Sequence, residues 1–212
     1  MATEELFLRR AVVFGSALLY WAGVFVQARR VRHHIGRSPN VKPRGRKETL
    51  LWLGWVLVIA AWLSLPFLTG NNAPSPLLRF VNCALHPAGF AVGLLMLLAG
   101  YGGTLWCYAA MGNAWRIGID RKEKTALVTR GPYRWVRHPI YLFQIVMLLG
   151  AALLLPTLLS VVVIAGHLLC ALTKAADEEC YLLTVHGDAY RDYLARTGRL
   201  FPRLRGRPPP SE

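Results

Sequence analysis

The chain has 212 residues, of which hydrophobic residues make up 54 % and charged residues 17 %, with a formal net charge of +14. That much apolar surface excludes disorder for most of the chain, and the low charged fraction excludes an ordinary soluble globule. Four scattered cysteines (Cys83, Cys107, Cys170, Cys180) show neither a CxxC pair nor metal-ligand spacing, so the pattern gives no disulfide framework and no metal site.

Four stretches carry no charged side chain. Ala11–Ala28 and Leu50–Leu68 each fit one membrane crossing of roughly 20 residues. No small-residue cleavage site follows the first, which reads as a retained span rather than a signal peptide. Phe80–Trp115 is long enough for one tilted span with an overhang. Its glycines (Gly89, Gly93, Gly100, Gly102, Gly103) let neighbouring helices approach closely. Ile140–Thr173 would measure about 51 Å as one helix, too long for one crossing. Pro156, Thr157 and Ser160 predict a turn inside it. The reading is two short helices forming a hairpin, with one span plus one interfacial helix as the alternative. The fold class is an all-α integral membrane protein of about five transmembrane helices with a cytoplasmic C-terminal helical segment.

The basic residues fall in three clusters. Arg29, Arg30, Arg32, Arg37, Lys42, Arg44, Arg46 and Lys47 lie between the first two spans. Arg116, Arg121, Lys122, Lys124, Arg130, Arg134 and Arg137 precede the hairpin, and Arg191 onward forms a basic tail. The segment Thr69–Pro76 between them is uncharged. This alternation is the positive-inside pattern and puts the basic loops and the C-terminus in the cytoplasm, at the inner membrane if the source is prokaryotic. Arg9 and Arg10 oppose it weakly. The clusters also predict contact with anionic lipid headgroups rather than nucleic acid. Three regions follow: N-terminal helices over 1–111, with a mobile connector around Gly36–Gly45; a catalytic region over 112–203; and a disordered tail over 204–212.

Three constellations carry the chemistry. In Leu127–Tyr141 (LVTRGPYRWVRHPIY), Gly131-Pro132 marks a turn, and Pro139 suits the first position of a helix. Arg137, His138 and a helix N-terminus attractive to anions thus converge at the membrane edge. The bland alternative is an anchoring belt of arginine and tyrosine. In Lys174–Glu179 (KAADEE), Lys174 and Glu178 share a helix face. They form either a surface ion pair or an acidic cap on a polar pocket. In HGDAYRDYLARTGRLFP, Tyr190 and Tyr193 lie three apart on a short amphipathic helix, which by itself reads as a helix resting on headgroups.

In this order, the three motifs resemble the isoprenylcysteine carboxyl methyltransferase family and the related phospholipid N-methyltransferases, over Gly112–Pro202. The resemblance implies S-adenosylmethionine-dependent methyl transfer to a lipophilic acceptor, a prenylcysteine-like carboxylate or a phospholipid amine. It implies a cofactor pocket lined by Thr125, Ala126, Leu127, Val128, Tyr133, His138, Pro139, Ile140, Tyr141 and Glu178. It makes Arg137, His138, Lys174 and Glu178 the candidate catalytic residues, with Lys174 on the acceptor. Lys174 stands where the family has arginine, and loses the planar grip on a carboxylate. Phe143 stands where the family has glycine, and should narrow the space beside the hairpin. A carboxylate acceptor needs no base, whereas an amine must lose a proton to His138 or Glu178. Two other classes compete. A scaffold or small transporter would use Asn82, His86 or His167 as intramembrane polar groups, and a sterol or isoprenoid reductase would bind NADPH.

Overall fold

The computed structural model describes residues 3–43, 45–118 and 126–203. It is an all-α membrane protein with six α-helices among these residues: α1 (Thr3–Ile35), α2 (Gly45–Leu68), α3 (Pro87–Met111), α4 (Pro139–Leu154), α5 (Leu158–His186) and α6 (Asp188–Arg196). By length and composition α1, α2, α3 and α5 can each cross a membrane, whereas α4 is apolar but has only 16 residues. The reading of about five crossings thus resolves into four long helices and one short one. The tail 204–212 and Thr125 lie outside the described residues.

The helix starts follow local chemistry. His86 caps α3, its Nδ1 accepting from Ala88 N–H at 3.2 Å, with Pro87 in the first turn. The predicted turn at Pro156 is present. Thr157 caps α5 by accepting from Ser160 N–H at 3.1 Å, and so closes the α4–α5 hairpin. The lysine and carboxylates of the second constellation ride on the C-terminal extension of α5, beyond the uncharged run.

In lipid, helices associate by close packing rather than by hiding apolar surface, and glycine allows that approach. A side chain at Gly93 would meet the Gly150 carbonyl of α4 at 2.8 Å, and one at Gly100 would meet the Phe143 carbonyl at 2.7 Å. A side chain at Gly103 would overlap the Phe143 ring itself. The expected role of these α3 glycines is therefore met by α4. Leucines such as Leu19, Leu57, Leu95 and Leu169 face outward, as a lipid-solvated bundle permits.

Arg9 is fully buried at the end of the bundle away from the basic clusters. It donates to Glu5 at 2.8 Å, to the His86 carbonyl at 3.1 Å and to the Leu154 carbonyl at 3.3 Å. Arg10 donates to the Thr69 carbonyl. Both arginines, weak counter-signals in the charge pattern, fasten α1 to the turns at that end. The first basic cluster differs from expectation: α1 absorbs Arg29, Arg30 and Arg32, and the connector after it is pinned. Val41 N–H donates to the Ile117 carbonyl at 2.9 Å, and Ile117 N–H to the Pro39 carbonyl at 3.1 Å.

Candidate active site at the mouth of the helical hairpin

The segment before α4 is held by its backbone. Gly198 N–H donates to the Trp135 carbonyl at 3.2 Å, Arg137 N–H to Gly198 at 2.9 Å, and His138 N–H to Arg199 at 3.1 Å. This short pairing fixes where the Arg137 and His138 side chains start. Gly198 is needed because a side chain there would overlap the Phe201 carbonyl.

Adjacent residues on a helix point about 100° apart, and on α5 this separates the two glutamates. Glu178 turns toward α4, where the Tyr141 hydroxyl donates to it at 3.2 Å and His138 Nδ1 lies 3.4 Å away. Glu179 is buried and turns to the other side. It accepts from Arg137 Nε at 2.9 Å and from Arg199 at 2.6 Å, and lies 3.3 Å from His138 Nε2. Arg137 also donates to the Thr197 carbonyl. Both ring nitrogens of His138 therefore face carboxylate oxygens. Burial opposes the imidazolium, but hydrogen bonds and charge from Glu178 and Glu179 outweigh it and raise the His138 pKa from 6.5. The two flanking carboxylates thus favour the protonated imidazole.

The α6 tyrosines do not rest on headgroups. Tyr190 and Tyr193 are buried, because α6 turns back at Gly187 (φ +55°) and packs against α5. The Tyr193 hydroxyl donates to the Tyr133 carbonyl at 2.6 Å, tying α6 to the GPY turn. The Tyr190 hydroxyl is buried and has no hydrogen-bond partner. Burial, with the Glu179 charge second, holds its pKa above the ordinary value, so it is a donor at neutral pH.

Arg137, His138, Tyr141, Glu178, Tyr190 and Tyr193 line one cavity of about 470 Å3, with Glu179 behind its wall. Ala126, Leu127, Val128 and Tyr133 line it on one side, and Ile140, Tyr141 and Glu178 on another. Arg137, His138 and Lys174 are also on its wall. Pro139 is not: it is buried behind the helix start it initiates. Of the two alternatives for this constellation, the Lys174–Glu178 ion pair does not form, because Glu178 is turned to Tyr141 and His138. Among the described residues Lys174 has no hydrogen bond or ion pair. Phe143 does not narrow the cavity. It fills the space left by Gly103 and packs with Cys107, Ala110 and Tyr133 on the far side of α4.

Much of the wall comes from outside the recognised motifs. Tyr20 and Trp21 of α1, Trp55 of α2, and Trp115 with the pinned connector complete it. Gln144 of α4 reaches it as well, donating through Nε2 to the Tyr20 hydroxyl. Sequence reasoning passed over Tyr20, Trp21, Trp55 and Gln144, whose one legible signal is polar or aromatic character inside an apolar run. It also passed over Glu179, which is the hub of the cluster. The intramembrane candidates have local roles: His86 is a helix cap, and His167 is buried edge-on against Trp55 at 4.7 Å. Asn82 is exposed on a short turn before α3.

The geometry defines a helical membrane protein with an aromatic cavity and a histidine–carboxylate cluster at one end of a hairpin. Residues 88–189 match the phospholipid methyltransferase family. The matched stretch runs from α3 to the start of α6 and contains His138, Tyr141, Glu178 and Glu179. A nickel-cobalt-cadmium resistance protein of Alcaligenes xylosoxydans xylosoxydans is 26% identical over 150 residues, 71% of this chain and 63% of that protein. A cobalt-zinc-cadmium resistance protein of Cupriavidus metallidurans is 30% identical over 126 residues, 59% of this chain and 55% of that protein. The chain therefore spans less than two thirds of the length of either relative. Among the described residues no group of three or more His, Cys, Asp and Glu side chains is placed to hold a metal ion.

Proposed function

We propose that the protein is an S-adenosylmethionine-dependent methyltransferase acting on a lipophilic acceptor at the cytoplasmic membrane face. The observation that carries this reading is the joining of His138, Tyr141 and Glu178 on the wall of one aromatic cavity, inside the phospholipid methyltransferase region.

The residues fit the cofactor. A volume of about 470 Å3 falls within the range of small-molecule sites. The orphaned Tyr190 hydroxyl offers a donor, and Glu178 offers a carboxylate for a ribose hydroxyl or an ammonium. When bound, the cofactor supplies an electrophilic methyl carbon for in-line displacement. The chain's own residues then align, exclude water and manage protons. The tyrosine and tryptophan rings dry the site and suit a cationic centre. Lys174 suits an anion beside the reacting group, either an acceptor carboxylate or the phosphate of a lipid amine. For an amine acceptor Glu178, the carboxylate on the cavity wall, takes the proton. Arg137, engaged by the Thr197 carbonyl and by Glu179, which it shares with His138, lies on the wall where an anionic ligand group would sit. The basic loops around the mouth hold it against anionic headgroups.

Isothermal titration of detergent-purified protein with S-adenosylhomocysteine tests the proposal, alongside Glu178→Ala and His138→Ala. Micromolar binding in the wild type that is lost in both variants supports it. Absence of binding by well-folded wild type overturns it.

A further inference from the structure

The methyltransferase reading accounts for the hairpin-mouth end of the cavity and leaves the α1 side unexplained. That side carries two orphaned polar atoms. Gln144 Oε1 and Trp21 Nε1 are both buried, both without a hydrogen-bond partner, and both belong to residues on the cavity wall. Their setting is rigid. Gln144 Nε2 is committed to the Tyr20 hydroxyl, and the Tyr20 ring lies edge-on to Trp21 at 5.4 Å. It also packs against Trp62 at 5.8 Å. Gln144 sits five residues into α4, about 7.5 Å along its axis from Pro139. A polar side chain so placed among apolar helices costs free energy unless something satisfies it, and nearly all buried polar atoms are satisfied.

We infer that Gln144 and Trp21 form a polar socket for a neutral group that both donates and accepts a hydrogen bond, an amide or a hydroxyl, on the lipophilic acceptor. The inference rests on the methyltransferase reading for the word acceptor. The chemistry follows from the two atoms. Gln144 Oε1 needs an N–H or O–H. Trp21 Nε1–H needs an oxygen. A carboxylate leaves the glutamine oxygen unanswered, and a quaternary ammonium answers neither atom. A secondary amide answers both, with its N–H on Gln144 and its carbonyl on Trp21. The apolar remainder of the ligand then lies among Val24, Val56 and Ile59, which line the same side. Gln144 is in this account a specificity residue and Tyr20 its brace. Neither touches the reacting methyl group.

The test uses two probes with one tail, N-dodecylacetamide and N-dodecyl-N-methylacetamide, which differ by the single N–H. Binding to the full chain in lipid nanodiscs is followed by quenching of tryptophan fluorescence, and S-adenosylhomocysteine is titrated into the same samples. The wild type is expected to bind the N–H probe about tenfold more tightly, as a site built around a hydrogen bond discriminates. Gln144→Leu should bring the two probes within about twofold while leaving S-adenosylhomocysteine affinity unchanged. Trp21→Phe should weaken both probes alike, since both keep the carbonyl. Equal binding of the two probes by the wild type overturns the socket, as does a Gln144→Leu protein that still discriminates. The wild-type comparison stands even where a variant fails to fold. Discrimination without any S-adenosylhomocysteine binding supports the socket and overturns the methyltransferase reading instead.

Discussion

Glu179 on α5 accepts from Arg199 through both carboxylate oxygens, with Nη2 at 2.6 Å and Nε at 3.1 Å. The contact joins the helix that carries Glu178 to the segment whose backbone holds His138. Glu179 is also the shared partner of Arg137 and lies against His138, so one carboxylate fixes three cationic groups around the mouth.

Removing it leaves buried charge unpaired. Glu179→Ala should destabilise the protein by about 3–5 kcal/mol, as loss of one partner in a buried ionic cluster does. Unfolding in denaturant and S-adenosylhomocysteine titration should both register the change. Near-wild-type stability would show that the cluster is not a structural hub.

Tyr190 and Tyr193 make opposite predictions from one substitution. Tyr193→Phe breaks the bond to the Tyr133 carbonyl and should cost about 1–3 kcal/mol. Tyr190→Phe removes a hydroxyl that has no partner in the protein, so stability should hold or rise. Its S-adenosylhomocysteine affinity should nevertheless fall about five- to tenfold, the worth of one hydrogen bond. A Tyr190→Phe protein that binds normally would take this hydroxyl out of the ligand site.

The raised pKa of His138 fixes a pH dependence. Folded His138 binds its proton more tightly than unfolded His138, whose value is near 6.5. Its stabilising contribution is therefore full below about pH 6.5 and lost as pH rises through the raised folded value. Thermal unfolding of wild type and His138→Gln, compared from about pH 5 to about pH 9, should show the wild-type advantage shrinking on the alkaline side. An advantage that grows with pH would contradict the two-carboxylate arrangement.

Phe143 and Gly103 form a complementary pair across α3 and α4. Gly103→Ala should destabilise by about 1–3 kcal/mol, since the added carbon overlaps the ring and the core is close-packed. In a Phe143→Leu background the same change should cost markedly less, a coupling that a double-mutant cycle reads directly. Additive effects would mean the ring has room to move.

The sequence disclosed what is periodic or local. The apolar runs gave the helices, Pro156 with Thr157 gave the hairpin turn, and the RHPIY and DEE motifs led to the mouth of the cavity. Glu178 and Glu179 were adjacent letters of one motif, and only the helical turn between them shows which faces the cavity and which holds the arginines. Lys174 and Glu178 had the spacing of an ion pair, but Tyr141 and His138 compete for the carboxylate from another helix. The placing of Phe143 was illegible without Gly103, forty residues away on a separate helix. Tyr20, Trp55 and Gln144 fit ordinary membrane-helix composition, and their meeting at one wall is a property of packing alone.

The cavity draws one flank from α1, α2 and the connector pinned to Ile117, all of which precede the stretch that matches the phospholipid methyltransferase family. Drift in those first helices reshapes the chamber without disturbing His138, Glu178 or the motifs around them. Two chains that match over the recognised region can thus hold different molecules, and what a member of this group accepts must be sought in the half of its sequence that carries no signature.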